Sequence, residues 1–207
     1  MIKAKFGDRL DGWIAAAFPF LVRHPVNPNL LTMIGTLISL GSATAFAFGR
    51  FGLGAWLILA SGIFDLIDGV VARRHGTATP FGAFLDSTMD RLADMAILLG
   101  VMLHFAGRGD AGTVLLAGVA LIAAVLTSYA KARAEQWVRS FEGGLLERGE
   151  RLFVLAVGAV FGYLVAALWI LAVLGTATVV YRFTRAYREL AQLAPTPAGS
   201  EAGGSAG

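Results

Sequence analysis

Residues 51–74 read FGLGAWLILASGIFDLIDGVVARR, and residues 81–105 read FGAFLDSTMDRLADMAILLGVMLHF. Each is a long apolar run with its carboxylates gathered toward one end. Crossing a bilayer core takes about 20 apolar residues in a helix, and both runs are long enough. Outward from them, a charge-free stretch from Val26 to Gly49 precedes, and another from Thr113 to Tyr129 follows. Composition agrees across the 207 residues: 57% are hydrophobic and 15% charged, against a soluble norm of about 25% charged. Mean hydropathy is +0.69. Too few polar residues remain to cover a surface facing water, so the sequence predicts an all-α integral membrane protein. Its 26 glycines suit helices that approach closely in lipid.

The last charge-free segment, Leu152 to Tyr181, has 30 residues, long for one span and short for two of about 20. Loop charge decides, because cytoplasmic loops collect lysine and arginine. With the N-terminus cytoplasmic and 152–181 folded as a hairpin, only Arg50 and Arg108 fall outside, and Arg91 lies within a span. The remaining cations all face the cytoplasm. Six transmembrane helices follow, with the hairpin turn near Gly162 or Ala166 and with Arg148, Arg151, Arg182 and Arg185 on helical extensions. Before them, Ile2, Phe6, Leu10, Trp13, Ala17 and Leu21 recur at helical spacing, which predicts an N-terminal interfacial amphipathic helix over residues 1–24. The expected organisation is that helix, a six-helix domain over 25–190 and a disordered tail over 191–207.

The net charge is +3 and no cysteine occurs, which removes disulfides, thiol catalysis and thiolate metal sites. No basic run is interleaved with exposed aromatics, so nucleic acid is not expected. The N-terminus lacks a cleavable signal pattern, and insertion is expected to rely on the first span. His24, His75 and His104 share no ligand spacing and are expected near the membrane interfaces. Trp13, Trp56, Trp137 and Trp169 are expected as interface anchors and packing.

Carboxylates inside spans are costly and mark function by default. Asp65 and Asp68 lie three apart, Asp86 and Asp90 four apart, with Asp94 one turn further; each pair shares a helix face. The second helix runs inward and the third returns, so both pairs sit near the cytoplasmic side. Four ionised carboxylates in one low-dielectric pocket require cations. All-oxygen ligands favour Mg²⁺ or Mn²⁺, and two such ions suit phosphoryl transfer. A cation pathway through a transporter also uses membrane carboxylates, so spacing leaves both readings open.

The run Asp65-Leu-Ile-Asp68-Gly69-Val-Val-Ala72-Arg73, then Gly82-Ala-Phe-Leu-Asp86-Ser-Thr-Met-Asp90, resembles the CDP-alcohol phosphotransferase motif DxxDGxxAR…GxxxDxxxD at every fixed position. The resemblance implies that Asp65, Asp68, Asp86 and Asp90 hold two divalent metal ions, Mg²⁺ or Mn²⁺. It also implies that Asp90 is the catalytic base. Gly69, Arg73 and Thr79 would contact a CDP-linked lipid donor. The family's Pro-x-x-x-Thr turn is matched by Pro28-Asn29-Leu30-Leu31-Thr32, whose residues would border the cytidine.

Ser128-Tyr-Ala-Lys131-Ala-Arg133-Ala-Glu135, then Glu147-Arg148-Gly-Glu-Arg151, resembles that family's phosphatidylinositol-phosphate synthase branch. The branch implies that Lys131, Arg151 and Arg182 hold the phosphate of a phosphorylated polyol acceptor; Arg133, Arg148 and Arg185 are further cations at the same helix ends. The expectation is a multi-pass enzyme of the cytoplasmic membrane, active site facing the cytoplasm and homodimeric by resemblance. It would move the phosphatidyl group of CDP-diacylglycerol to inositol phosphate and release CMP. Glycerol phosphate is the alternative acceptor, and an ion-coupled transporter the alternative class.

Overall fold

The computed structural model describes residues 26–138, 141 and 143–192. The expected interfacial helix, Trp13, His24 and nearly all of the expected tail lie outside these residues. Within them the ordered elements are six helices: α1 (Pro28–Ala47), α2 (Phe51–Arg74), α3 (Pro80–Ala106), α4 (Ala111–Ala134), α5 (Arg148–Val160) and α6 (Leu164–Ala191).

Local chemistry starts and stops them. Asn27 caps α1 by accepting from the Asn29 N–H at 3.0 Å, with Pro28 in the first turn. Proline is suited to that turn because its missing N–H would have no intrahelical partner anyway. Thr79 and Pro80 repeat the device at α3, where Thr79 Oγ1 accepts from the Gly82 N–H at 3.0 Å. Asp110 caps α4 with bonds from both the N–H and the hydroxyl of Thr113, and these hold its carboxyl below the ordinary range. Glu147 and Glu150 form a reciprocal capping box at α5. Between α5 and α6 the chain reverses over Phe161–Tyr163, where Gly162 has φ +78°. That left-handed conformation suits glycine and selects Gly162 over Ala166, which lies inside α6.

Helix α1 packs against α2 and α3, α3 against α4, α4 against α6, and α5 between α2 and α6. The α1–α3 crossing is close enough that a Cβ on Gly100 would collide with the Ala43 carbonyl. The interior is small and apolar, with Ala55, Ala117, Val101 and Leu168 fully enclosed. His104 is buried too, its ring edge-on to Phe51 at 4.7 Å between centroids. Large apolar side chains such as Leu37, Leu115, Trp56 and Trp169 point outward, as helices surrounded by lipid require.

Four helices, α1, α2, α4 and α6, are long and apolar enough to cross a membrane. The other two of the six expected spans depart from that description for separate reasons. Helix α3 has 27 residues but carries Asp86, Asp90, Arg91 and Asp94 within its first 15 residues. Helix α5 has only 13 residues, about 20 Å at 1.5 Å per residue. Arg148 in its first turn reaches Asp65 on α2 at 3.1 Å. Ahead of it, Phe141 and Leu146 are buried.

Candidate active site

Asp65 and Asp68 on α2 face Asp86 and Asp90 on α3. One carboxylate oxygen from each of Asp65, Asp68 and Asp86 lies within 4.8 Å of the others. Asp68 is buried, and its Oδ2 accepts from Thr32 Oγ1 at 2.7 Å. Thr32 sits on α1 four residues after Pro28, whose carbonyl shares the same hydroxyl at 3.2 Å. Asp86 Oδ1 is buried with no hydrogen-bond partner. Three converging carboxylates, one carrying an orphaned buried oxygen, match what a hard divalent cation demands. Asp90 stands slightly apart, and its Oδ1 forms an ion pair with Arg148 Nη1 at 2.9 Å.

On one side of this cluster a cavity of about 200 Å³ is lined by Pro28, Asn29, Thr32, Gly69, Arg73, Thr79 and Gly82, with Asp68 and Asp86 at its floor. Arg73 folds back along its own helix, and a Cβ on Gly69 would lie 3.1 Å from Arg73 Nη1. At Gly82 a Cβ would press on both Asn29 Oδ1 and Thr79 Oγ1, each at 3.2 Å. Glycine at these positions therefore opens the backbone to a ligand among polar groups from three helices. Of the donor residues expected from sequence, Asn29, Thr32, Gly69, Arg73 and Thr79 line this cavity; Leu30 and Leu31 do not. Leu30 is exposed on the outside of α1, and Leu31 is buried against Ile67, Val70 and Val71. The reason is helical period: positions 28, 29 and 32 share a face that 30 and 31 leave.

On the other side a cavity of about 360 Å³ is lined by Asp86, Asp90, Asp94, Lys131, Arg148, Arg151 and Arg182. Asp86 borders both cavities. The three cations expected to hold a phosphate are thus brought together, from α4, α5 and α6. Lys131 is half exposed, with Nζ 3.7 Å from Glu135. Arg151 is buried; its Nη1 donates to Thr127 Oγ1 at 2.9 Å and its Nη2 meets Asp94 Oδ2 at 3.2 Å. Arg182 donates to the carbonyls of Thr127 and Gly143. Arg133 and Arg185 point elsewhere, bonded to Gln136 and Glu189.

Arg148 proves far more central than its place among helix-end cations suggests. Its guanidinium contacts Asp65 at 3.1 Å, Asp90 at 2.9 Å and Asp94 at 3.3 Å. Sequence reading passed over Thr127, which accepts from Arg151 through its hydroxyl and from Arg182 through its carbonyl. Its signal was faint but present: Thr127 lies four residues before Lys131, on the same helix face.

Comparison with known proteins places this arrangement. The CDP-alcohol phosphatidyltransferase family model matches residues 25–184. The archaetidylinositol phosphate synthase of Methanothermobacter thermautotrophicus is 37% identical over 179 residues, covering 83% of this chain and 89% of that protein. The phosphatidylinositol phosphate synthase of Mycobacteroides abscessus is 38% identical over 171 residues, 78% of each chain. Crystal structures of the Mycobacterium tuberculosis phosphatidylinositol phosphate synthase are similar at 32% identity. The form with CDP-DAG bound has a TM-score of 0.77 and covers 84% of this chain and 93% of that one. The form in complex with manganese and citrate also scores 0.77, covering 84% and 88%.

Proposed function

The chain belongs to the CDP-alcohol phosphatidyltransferase family, and from that membership we propose that it transfers the phosphatidyl group of CDP-diacylglycerol to inositol phosphate. The products are phosphatidylinositol phosphate and CMP. The observation that carries this reading is the pair of cavities meeting at Asp86, one lined by Asp68, Gly69, Ala72 and Arg73 of the DxxDGxxAR motif and the other by Lys131, Arg151 and Arg182 among its cations.

In this mechanism Asn29, Thr32, Gly69, Arg73 and Thr79 hold the CDP end of the donor, with Arg73 on the diphosphate. Lys131, Arg151 and Arg182 hold the acceptor's phosphate by charge-assisted hydrogen bonds. Asp90 takes the proton from the acceptor hydroxyl as its oxygen bonds to the phosphorus bearing the diacylglycerol. The bond from that phosphorus to the bridging oxygen breaks, and CMP leaves. Arg148 grips one oxygen of Asp90 and so fixes where the other points. Two divalent cations, Mg²⁺ or Mn²⁺, held by Asp65, Asp68 and Asp86 with Asp90 completing the set, supply charge neutralisation at the diphosphate.

The same reading orients the protein. The cation distribution favours a domain over 25–190 with six spans and the site open to the cytoplasmic face of the cell membrane. A homodimer is proposed from family resemblance.

The test is CMP release by the purified protein given CDP-diacylglycerol, Mn²⁺ or Mg²⁺, and either inositol phosphate or glycerol phosphate. Turnover with inositol phosphate alone is expected. Turnover with glycerol phosphate instead would keep the chemistry and overturn the acceptor.

A further inference from the structure

Asp94 belongs to no part of the catalytic motif, yet it is almost enclosed and both its oxygens are used. Oδ1 accepts from Arg148 Nε at 3.3 Å, and Oδ2 from Arg151 Nη2 at 3.2 Å; its side chain is 11% exposed. These two arginines sit three apart at the start of α5, so one carboxylate from α3 ties together two guanidiniums on one face of another helix. Each guanidinium has a second engagement that matters to the reaction. Arg148 Nη1 lies 2.9 Å from Asp90 Oδ1, and Arg151 Nη1 donates to Thr127 Oγ1 at 2.9 Å. A continuous chain, Asp90–Arg148–Asp94–Arg151–Thr127, therefore runs from the proposed base to the proposed phosphate pocket.

We propose that Asp94 is a positioning residue that sets Arg151 for the acceptor's phosphate and, through Arg148, keeps that setting in register with Asp90. This rests on the reading that Lys131, Arg151 and Arg182 hold that phosphate. The chemistry demands a carboxylate at this point. An ionised carboxylate is acceptor-only at both oxygens, whereas an amide offers one acceptor and two N–H donors. Asparagine at 94 would satisfy one guanidinium and turn an N–H toward the other. A buried arginine deprived of its partner then moves to find another. The displacement is felt where the guanidinium works, at the acceptor, and not in the donor cavity, which Asp94 does not line.

The experiment is steady-state kinetics of Asp94→Asn beside the unchanged protein, varying inositol phosphate and CDP-diacylglycerol in turn. The acceptor KM is expected to rise about tenfold, equivalent to about 1.4 kcal/mol, while the donor KM stays within about twofold. A merely structural role would lower the active fraction, and so the apparent kcat, with both KM values unmoved; that result overturns the proposal. So does a fall in acceptor KM, which would mean that Asp94 only dilutes the positive charge of the pocket. Should Asp94→Asn not yield folded protein, Asp94→Glu makes the same test. It keeps the charge but displaces it by one methylene, and a KM for inositol phosphate equal to the unchanged protein's would refute positioning. If the unchanged protein turns over no inositol phosphate, the functional reading fails and this inference fails with it. Turnover with an unmoved KM in the variant sinks the inference alone.

Discussion

The two cavities are put together in different ways. The one proposed for the CDP-lipid draws on residues 28 to 86, most of them at fixed spacing on two facing helices, with helix-capping residues and glycines forming its walls. The one proposed for the acceptor draws on α3, α4, α5 and α6, and its arginines Arg148, Arg151 and Arg182 are held by partners far away in sequence. Arg148 reaches Asp65 across 83 positions and Arg182 reaches Thr127 across 55. The first cavity is specified by local periodicity, the second by tertiary packing. A family can therefore keep one chemistry while changing its acceptor, because the two sides are specified separately and meet at a few carboxylates.

The largest expected effect lies in the acceptor-side cavity, one helical turn from Asp86 where the halves meet. Asp90→Asn should lower kcat by about a thousandfold, within the range for removing a general base, while CDP-diacylglycerol still binds in a titration. Loss of donor binding as well would break the separation argued above.

Within the first cavity, Thr32→Val removes the hydroxyl that donates to Asp68 at 2.7 Å. Outer-shell partners of a metal ligand are commonly worth about 10–100-fold in metal affinity. The Mn²⁺ needed for half-maximal CMP release should rise by about tenfold or more, with the KM for inositol phosphate unmoved. A shift in acceptor KM instead would place Thr32 in the wrong half.

The distinction between local and distant specification decided what the sequence made legible. Four aspartates at helical spacing inside apolar runs could be read directly, whereas the hairpin turn was narrowed only to Gly162 or Ala166 and the caps Asn27, Thr79 and Asp110 emerge only from the structure. Leu30 and Leu31 were drawn into the donor group because they fall inside a contiguous motif, although a helix presents only some of five successive residues to one side. Arg148 could not be ranked above Arg133 or Arg185 from charge alone, since the sequence puts all three near helix ends expected on one side of the membrane. Only the packing of α5 against α2 brings Arg148 among the aspartates. The departure of α3 from an ordinary apolar span has the same origin, because the site itself occupies that helix.

In the second cavity, Lys131 is the most accessible of the three cations, its side chain 42% exposed with a long 3.7 Å contact to Glu135. Lys131→Ala should raise the KM for inositol phosphate by about tenfold, as loss of one charged hydrogen bond implies, and leave the KM for CDP-diacylglycerol alone. If acceptor dependence did not change, the pocket assignment would be wrong.

The smallest effect lies at the opposite end of the bundle, outside both cavities. Asp110→Ala removes the α4 cap and should lower the thermal midpoint slightly while altering neither KM. Because the Asp110 carboxyl is held below its ordinary range by bonds from Thr113, the cap's contribution is present above the unfolded value of about 3.9. It fades as the pH falls through the lower folded value. Thermal unfolding in detergent at neutral and acid pH checks this, and the variant should lose the part of the pH dependence that Asp110 supplies.

That Asp86 borders both cavities carries a stereochemical consequence. Acceptor and leaving nucleotide then reach the reacting phosphorus from different compartments, so neither has to vacate its place for the other. On the proposed assignment both substrates would be bound at once, and the exchange would proceed as one displacement without a covalent phosphatidyl-enzyme. A donor made chiral at that phosphorus by isotopic oxygen or sulfur should give product of inverted configuration.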